Sequence, residues 1–152
     1  MIQPQELRIG NYVTINNPNS WIELLNIPMI VTGIDFSMTK KEKEIWAHSN
    51  GKIRVENEYN TYSQFSQFID PIPLTEEILF KFGFEKIKSD EYPHKYIINK
   101  YMSDEVEIEN LNSQNCFIFS HGKKFSSIQI EYVHQLQNLY FSLTGEELPF
   151  KK

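Results

Sequence analysis

Cysteine is nearly absent from this chain: one residue of 152, Cys116, is a cysteine, so no internal disulfide can form. Small secreted domains usually rely on an even set of cysteines, and a reducing cytosol fits this sequence better. Glycine is also scarce. Gly10, Gly33, Gly51, Gly83, Gly122 and Gly145 each stand alone, whereas a phosphate-cradling loop needs several close glycines opening onto a helix, which disfavours nucleotide hydrolysis and dinucleotide binding. A Gly-x-Ser-x-Gly elbow is missing as well. No apolar run approaches the roughly 20 residues that span a bilayer, and Met1 to Arg8 lacks the basic start and apolar stretch of an export signal. No membrane role is expected. Positive charge is in deficit, fifteen basic residues against twenty acidic, which argues against broad attraction to nucleic-acid phosphates while leaving room for a local basic patch.

Apolar material is plentiful by contrast. Hydrophobic residues make up 40% and aromatics 14%, enough to offset the entropy of ordering one core or two small ones. Leu7 to Ile15 reads as a strand, with Gly10-Asn11 marking a bulge or turn near its start. Asn16-Asn17-Pro18-Asn19-Ser20 breaks it, Trp21 to Leu25 is too short to assign, and Met29 to Phe36 predicts a second strand. Lys40 to Lys43 reads as a charged connector. Glu44 to Ala47 and Lys52 to Asn57 then form the arms of an expected hairpin turning at Ser49-Asn50-Gly51, because Asn-Gly tolerates the positive φ of a tight turn. Tyr59, Tyr62, Phe65 and Phe68 are spaced by threes and suggest a helical turn. Asp70-Pro71-Ile72-Pro73 imposes an extended path and marks a boundary.

Beyond it, Thr75 is placed to cap a helix, with Glu76 and Glu77 against its positive end, Ile78, Leu79 and Phe82 toward a core, and Gly83 as its stop. Strands are expected at Phe84 to Ile87, Lys95 to Tyr101, Glu105 to Leu111, Cys116 to His121 and Phe125 to Ile130, the last two joined by a hairpin at Gly122-Lys123. Glu131 to Thr144 predicts a helix with the stripe Val133, Leu136, Tyr140, Leu143 and the stop Gly145. His134, Gln135, Asn138 and Ser142 fall away from that stripe and are expected to face solvent. The expected fold class is α+β. Residues 1–73 form a small SH3-like β-barrel-type unit; residues 74–152 form a helix, an antiparallel sheet of three to five strands and a C-terminal helix packed on it, as two units or one compact domain.

Catalytic and metal chemistry find little purchase. His48, His94, His121 and His134 are far apart in sequence at no ligand spacing, and with one cysteine no usual zinc set can be assembled. Cys116 and His121 flank one predicted strand, about 17 Å apart and on opposite faces, so they cannot act as nucleophile and base within it. Phe117, Ile118 and Phe119 beside Cys116 mark it as a small buried hydrophobe. No catalytic residue, metal or cofactor is therefore assigned. Glu105, Glu107 and Glu109 alternate with Val106 and Ile108, which sets three carboxylates along one strand face with Asp104 beside them; this ladder is the first candidate for partner binding, against its reading as a solvated face. The alternative candidate is a nucleic-acid face of Lys86, Lys88, Tyr92, Lys95, Tyr96 and Lys100, where rings stack on bases and lysines meet phosphates, interrupted by Glu85, Asp90 and Glu91.

Two phrases carry a resemblance. One is Pro71-Ile72-Pro73-Leu74-Thr75-Glu76-Glu77 running into Lys81-Phe82-Gly83-Phe84. The other is Tyr132-Val133-His134-Gln135-Leu136-Gln137-Asn138-Leu139-Tyr140-Phe141, ending in Leu143-Thr144-Gly145-Glu146-Glu147-Leu148. With the opening Leu7-Arg8-Ile9-Gly10-Asn11-Tyr12-Val13, they resemble a family of small uncharacterised proteins of Bacteroidota genomes, prophages and mobile elements. The resemblance implies a cytoplasmic protein, in a bacterium or in the host cell of a phage. By analogy with other small acidic proteins of mobile elements, the expected function is a non-enzymatic interaction protein that inhibits a host nucleic-acid-handling protein, such as a CRISPR effector nuclease. A nucleic-acid-binding accessory protein is the alternative, and a small hydrolase or nuclease built from scattered carboxylates comes last.

Overall fold

Alternating apolar and polar residues in the first half of the chain form an antiparallel sheet of β1 (Tyr12–Ile15), β2 (Met29–Asp35), β3 (Lys52–Glu56), β4 (Thr61–Phe65) and β5 (Ile69–Pro71), ordered β4-β3-β2-β1-β5. The computed structural model describes residues 2–18, 27–87, 95–98, 106–111, 116–121, 124–148 and 150. Its contacts divide the chain into two compact units, Met1–Ile72 and Pro73–Lys152. Val13, Ile15, Met29, Val31, Ile53, Val55 and Ile69 project from one face of the first sheet and, with Ile2 and Leu7, make a buried cluster onto which Ile34 and Tyr62 pack.

Three local expectations fail in this unit. Lys40–Ile45 is a helix, α1, because Thr39 and Glu42 form a reciprocal capping box at its start. No hairpin turns at Asn50-Gly51; β3 pairs with β2 on one side and β4 on the other. The actual turn lies at 57–60, where the Asn57 Oδ1 accepts from the backbone N–H groups of Tyr59 and Asn60, both at 2.9 Å. The aromatic run from Tyr59 to Phe68 is consequently strand β4 followed by a short 3-10 turn, Ser66–Phe68, rather than a helical turn. Among the described residues no pairing joins the edge strands β4 and β5, so the sheet lacks the hydrogen-bonded closure of a barrel. β5 is three residues long and carries Pro71, which has no N–H to offer a further strand.

The second unit pairs α2 (Glu76–Lys81) and α3 (Val133–Thr144) with a second sheet. Its strands β6 (Glu85–Lys86), β7 (Lys95–Ile98), β8 (Val106–Leu111), β9 (Cys116–His121) and β10 (Lys124–Ile130) follow one another as an antiparallel meander. Thr75 caps α2, its hydroxyl accepting from the Ile78 N–H at 3.3 Å, and Gly83, at φ 88°, ends it. The approach to α2 is tied to the approach to α3 by the Leu74 N–H, which donates to the Glu131 carbonyl at 2.8 Å. Leu74, Leu79, Phe82, Phe84, Tyr96, Ile108, Ile130, Val133, Leu136, Tyr140 and Leu148 are buried. Helices and antiparallel sheets together make the fold α+β, as expected. Among the described residues no helix is long and apolar enough to cross a membrane.

The buried side of α3 differs from its apolar stripe. Val133, Leu136 and Tyr140 are enclosed, but so are His134 and Gln137, while Leu143 is 44% exposed. At 3.6 residues per turn, the enclosed set is centred on the line through Val133, Gln137 and Tyr140, rotated away from Leu143. His134 therefore does not face solvent as its residue type suggested.

Candidate functional site

One extra residue in β2 shapes the most distinctive surface of the first unit. Val31 pairs with Val55 but Gly33 pairs with Arg54, leaving Thr32 as a bulge. Strand side chains alternate between faces, so the insertion keeps Ile34 with the core beside Ile53 and turns Gly33 and Asp35 to the outer face. Three cross-strand rows then run over that face: Asp35, Lys52 and Phe65; Gly33, Arg54 and Ser63; Ile30, Glu56 and Thr61.

The first row is covered at its Phe65 end. Trp46, which ends α1, stacks on Phe65 with ring centroids 5.1 Å apart and meets Phe68 edge-on at 5.4 Å. Lys52 lies over the Phe65 ring, 5.7 Å from its centroid, and its ammonium pairs with Glu42 at 2.6 Å. That lysine and the donors of Thr39 hold the Glu42 carboxyl down at about 2. Asp35 is kept below the usual carboxylate range by the hydroxyl and backbone N–H of Ser37, which donate at 2.6 and 2.8 Å.

The second row is open. Gly33, Ile34, Asp35, Lys52, Arg54 and Ser63 line a groove of about 210 Å³. Gly33 offers bare backbone there: a Cβ at this position would sit 3.4 Å from the Arg54 Cβ. Arg54 is exposed, and among the described residues no carboxylate lies within salt-bridge distance of its guanidinium. The groove thus joins one uncommitted guanidinium, one hydroxyl and an ionised Asp35 beside a half-buried aromatic cluster.

The residues singled out from sequence lie elsewhere. Glu107 and Glu109 occupy alternate positions on β8, the middle strand of the second sheet, with Ile97 and Lys95 opposite them on β7 and Ser120 and Ile118 on β9. Asp104 and Glu105 lie outside the described residues. Of the proposed nucleic-acid face, Lys88, Tyr92 and Lys100 also lie outside them, and Lys95 is placed by register opposite Glu109. Tyr96 is 1% exposed, so its ring is not available to stack on a base. Phe80 meets that ring edge-on at 6.1 Å, and burial pushes the Tyr96 hydroxyl pKa up. Lys86 lies 5.6 Å from the same ring and pairs with Glu76 at 3.0 Å, which raises its pKa.

His48 is exposed, His94 lies outside the described residues, and Cys116 and His121 sit at opposite ends of β9. His134 is 1% exposed; its ring stacks on Tyr132 at 5.9 Å, and burial pushes its pKa down to about 4. Among the described residues no three His, Cys, Asp or Glu side chains gather where they would hold a metal ion. Sequence reading missed Gly33, Lys52, Arg54 and Ser63. The signal is the alternation of Lys52, Arg54 and Glu56 with Ile53 and Val55, which the Asn50-Gly51 pair obscures by suggesting a hairpin with the segment before it. Neither a family model, nor a curated protein, nor a solved structure matches the chain.

Proposed function

We propose that this chain is a non-enzymatic interaction protein that holds its partner on the outer face of β2, β3 and β4. The carrying observation is the open Arg54 row: an uncommitted guanidinium in a groove of about 210 Å³, floored by glycine, next to the Trp46 and Phe65 stack. Arginine and large aromatics are enriched among the residues that dominate binding energy at protein interfaces.

The sequence resemblance to prophage and mobile-element proteins directs the reading to a host nucleic-acid-handling protein as partner, with inhibition of a CRISPR effector nuclease as its narrowest form. A photo-cross-linking amino acid placed at Ser63, with Glu77 of the second unit as the control site, tests the face. In a Bacteroidota lysate the Ser63 position is expected to yield a discrete protein adduct that the Glu77 position does not. Adducts from Glu77 alone, or none from Ser63, would reject this face. A Ser63 adduct unrelated to nucleic-acid processing would retain the face and discard the anti-defence role.

A further inference from the structure

We infer that the Arg54 groove receives a single carboxylate side chain, Asp or Glu, from a protein partner. This rests on the outer face of β2, β3 and β4 being the interaction surface. Commitment of the neighbouring charges comes first. Lys52 is held by Glu42 at 2.6 Å, which leaves Arg54 as the cation of the groove lining with nothing to neutralise it among the described residues. A guanidinium stays charged at every physiological pH and presents parallel N–H donors that match the two oxygens of a carboxylate.

Shape points the same way. With Gly33 on one side and Ser63 on the other, the arginine stem is flanked by bare backbone and a small hydroxyl residue, so an incoming acidic side chain can lie alongside it. The serine hydroxyl adds a donor beside the guanidinium.

Surrounding charge separates a protein acid from a nucleic acid. Along β3 the same-face neighbours of Arg54 are Lys52, already neutralised, and Glu56; Asp35 lies in the groove itself, kept ionised by Ser37. A phosphate backbone crossing this face would set successive charges against both Asp35 and Glu56, which repel it, whereas a single carboxylate can pair with Arg54 and meets one repelling neighbour in the groove, Asp35. Residues 1–72 contain six basic and eight acidic side chains, so no wider positive field compensates.

The chain has two arginines, Arg8 and Arg54, which makes the side-chain Nε–Hε signals of the full-length protein a direct readout by NMR. The probes are a capped Gly-Ser-Glu-Gly-Ser peptide, its Glu-to-Gln counterpart, and a short oligothymidylate. The glutamate peptide is expected to shift the Arg54 Nε–Hε signal and the Gly33 and Ser63 amides saturably, leaving Arg8 in place. Arg54→Gln should abolish the amide shifts, and Arg54→Lys, which keeps the charge but loses the planar fork, should weaken them several-fold. No shift with the glutamate peptide, or an equal one with the glutamine peptide, overturns carboxylate recognition. A stronger response to oligothymidylate overturns it in favour of phosphate. If the peptide fails while Ser63 still cross-links a protein, this inference falls and the interaction face stands; if the peptide binds and cross-linking fails, the groove's recognition of a carboxylate stands but its use by a protein partner falls with the face.

Discussion

His134 shows how far one residue can depart from what its type predicts. It follows Val133 on α3, so a helix that buries a broad side carries the imidazole inward with the valine. Burial favours the neutral ring and lowers the pKa to about 4, while an imidazole in the unfolded chain takes up its proton near 6.5. Between those values the unfolded state binds more protons, so the stabilisation is complete above about 6.5 and is lost as pH falls toward about 4. The slope reaches about 1.4 kcal/mol per pH unit, on the order of 3 kcal/mol over the window. Urea midpoints of the wild type are expected to fall more steeply over this range than those of His134→Gln; parallel profiles would contradict the buried neutral ring. Val133, Leu136 and Tyr140 were legible as core from their spacing, but His134 and Gln137 were not, because polarity argued for water and only the full packing decides otherwise. Arg54 was hidden for a different reason: its alternation with Ile53 and Val55 is plain, but the bare space beside it comes from a bulge on another strand.

At the scale of elements, Gly51 illustrates a correct residue signal with the wrong cause. Asn50-Gly51 resembles a tight turn, yet among the described residues the glycines with positive φ are Gly10, Gly83 and Gly145. Gly51 is needed because a Cβ there would lie 2.7 Å from the Asp35 carbonyl oxygen, where the end of β2 comes close. Gly51→Ala is expected to force the two segments apart and cost about 1–3 kcal/mol, as overpacking does. Thermal denaturation checks this, and an unchanged midpoint would show that the backbone yields freely. Caps make the helix ends legible at Thr75 and Gly83, whereas Lys40, Lys41 and Lys43 mask the Thr39 and Glu42 box. β9 matches its expected bounds because Phe117, Ile118 and Phe119 make an apolar run of strand length.

Across the whole molecule, each unit has its own buried set, with Ile53 in the first and Leu136 in the second, both fully enclosed. Truncating either to alanine should cost about 2–5 kcal/mol. Hydrogen exchange locates the loss: Ile53→Ala is expected to weaken protection of β1 to β5, and Leu136→Ala that of α3. Equal loss in both units from either variant would show one cooperative structure instead. The α+β class followed from element type alone, but the open edges of the first sheet did not, since pairing between distant strands leaves no local mark in sequence.

The surplus residue at Thr32 gives β2 two reading frames, one before it and one after. Every side chain downstream owes its inside or outside address to that count, including the glycine and aspartate of the groove. Point substitutions alter this surface one group at a time. Deleting Thr32 would restore regular alternation with Gly33, Ile34 and Asp35 still opposite Arg54, Ile53 and Lys52, so the groove is expected to outlast the bulge, whereas drawing Thr32 into the ladder would exchange interior for exterior at all three together.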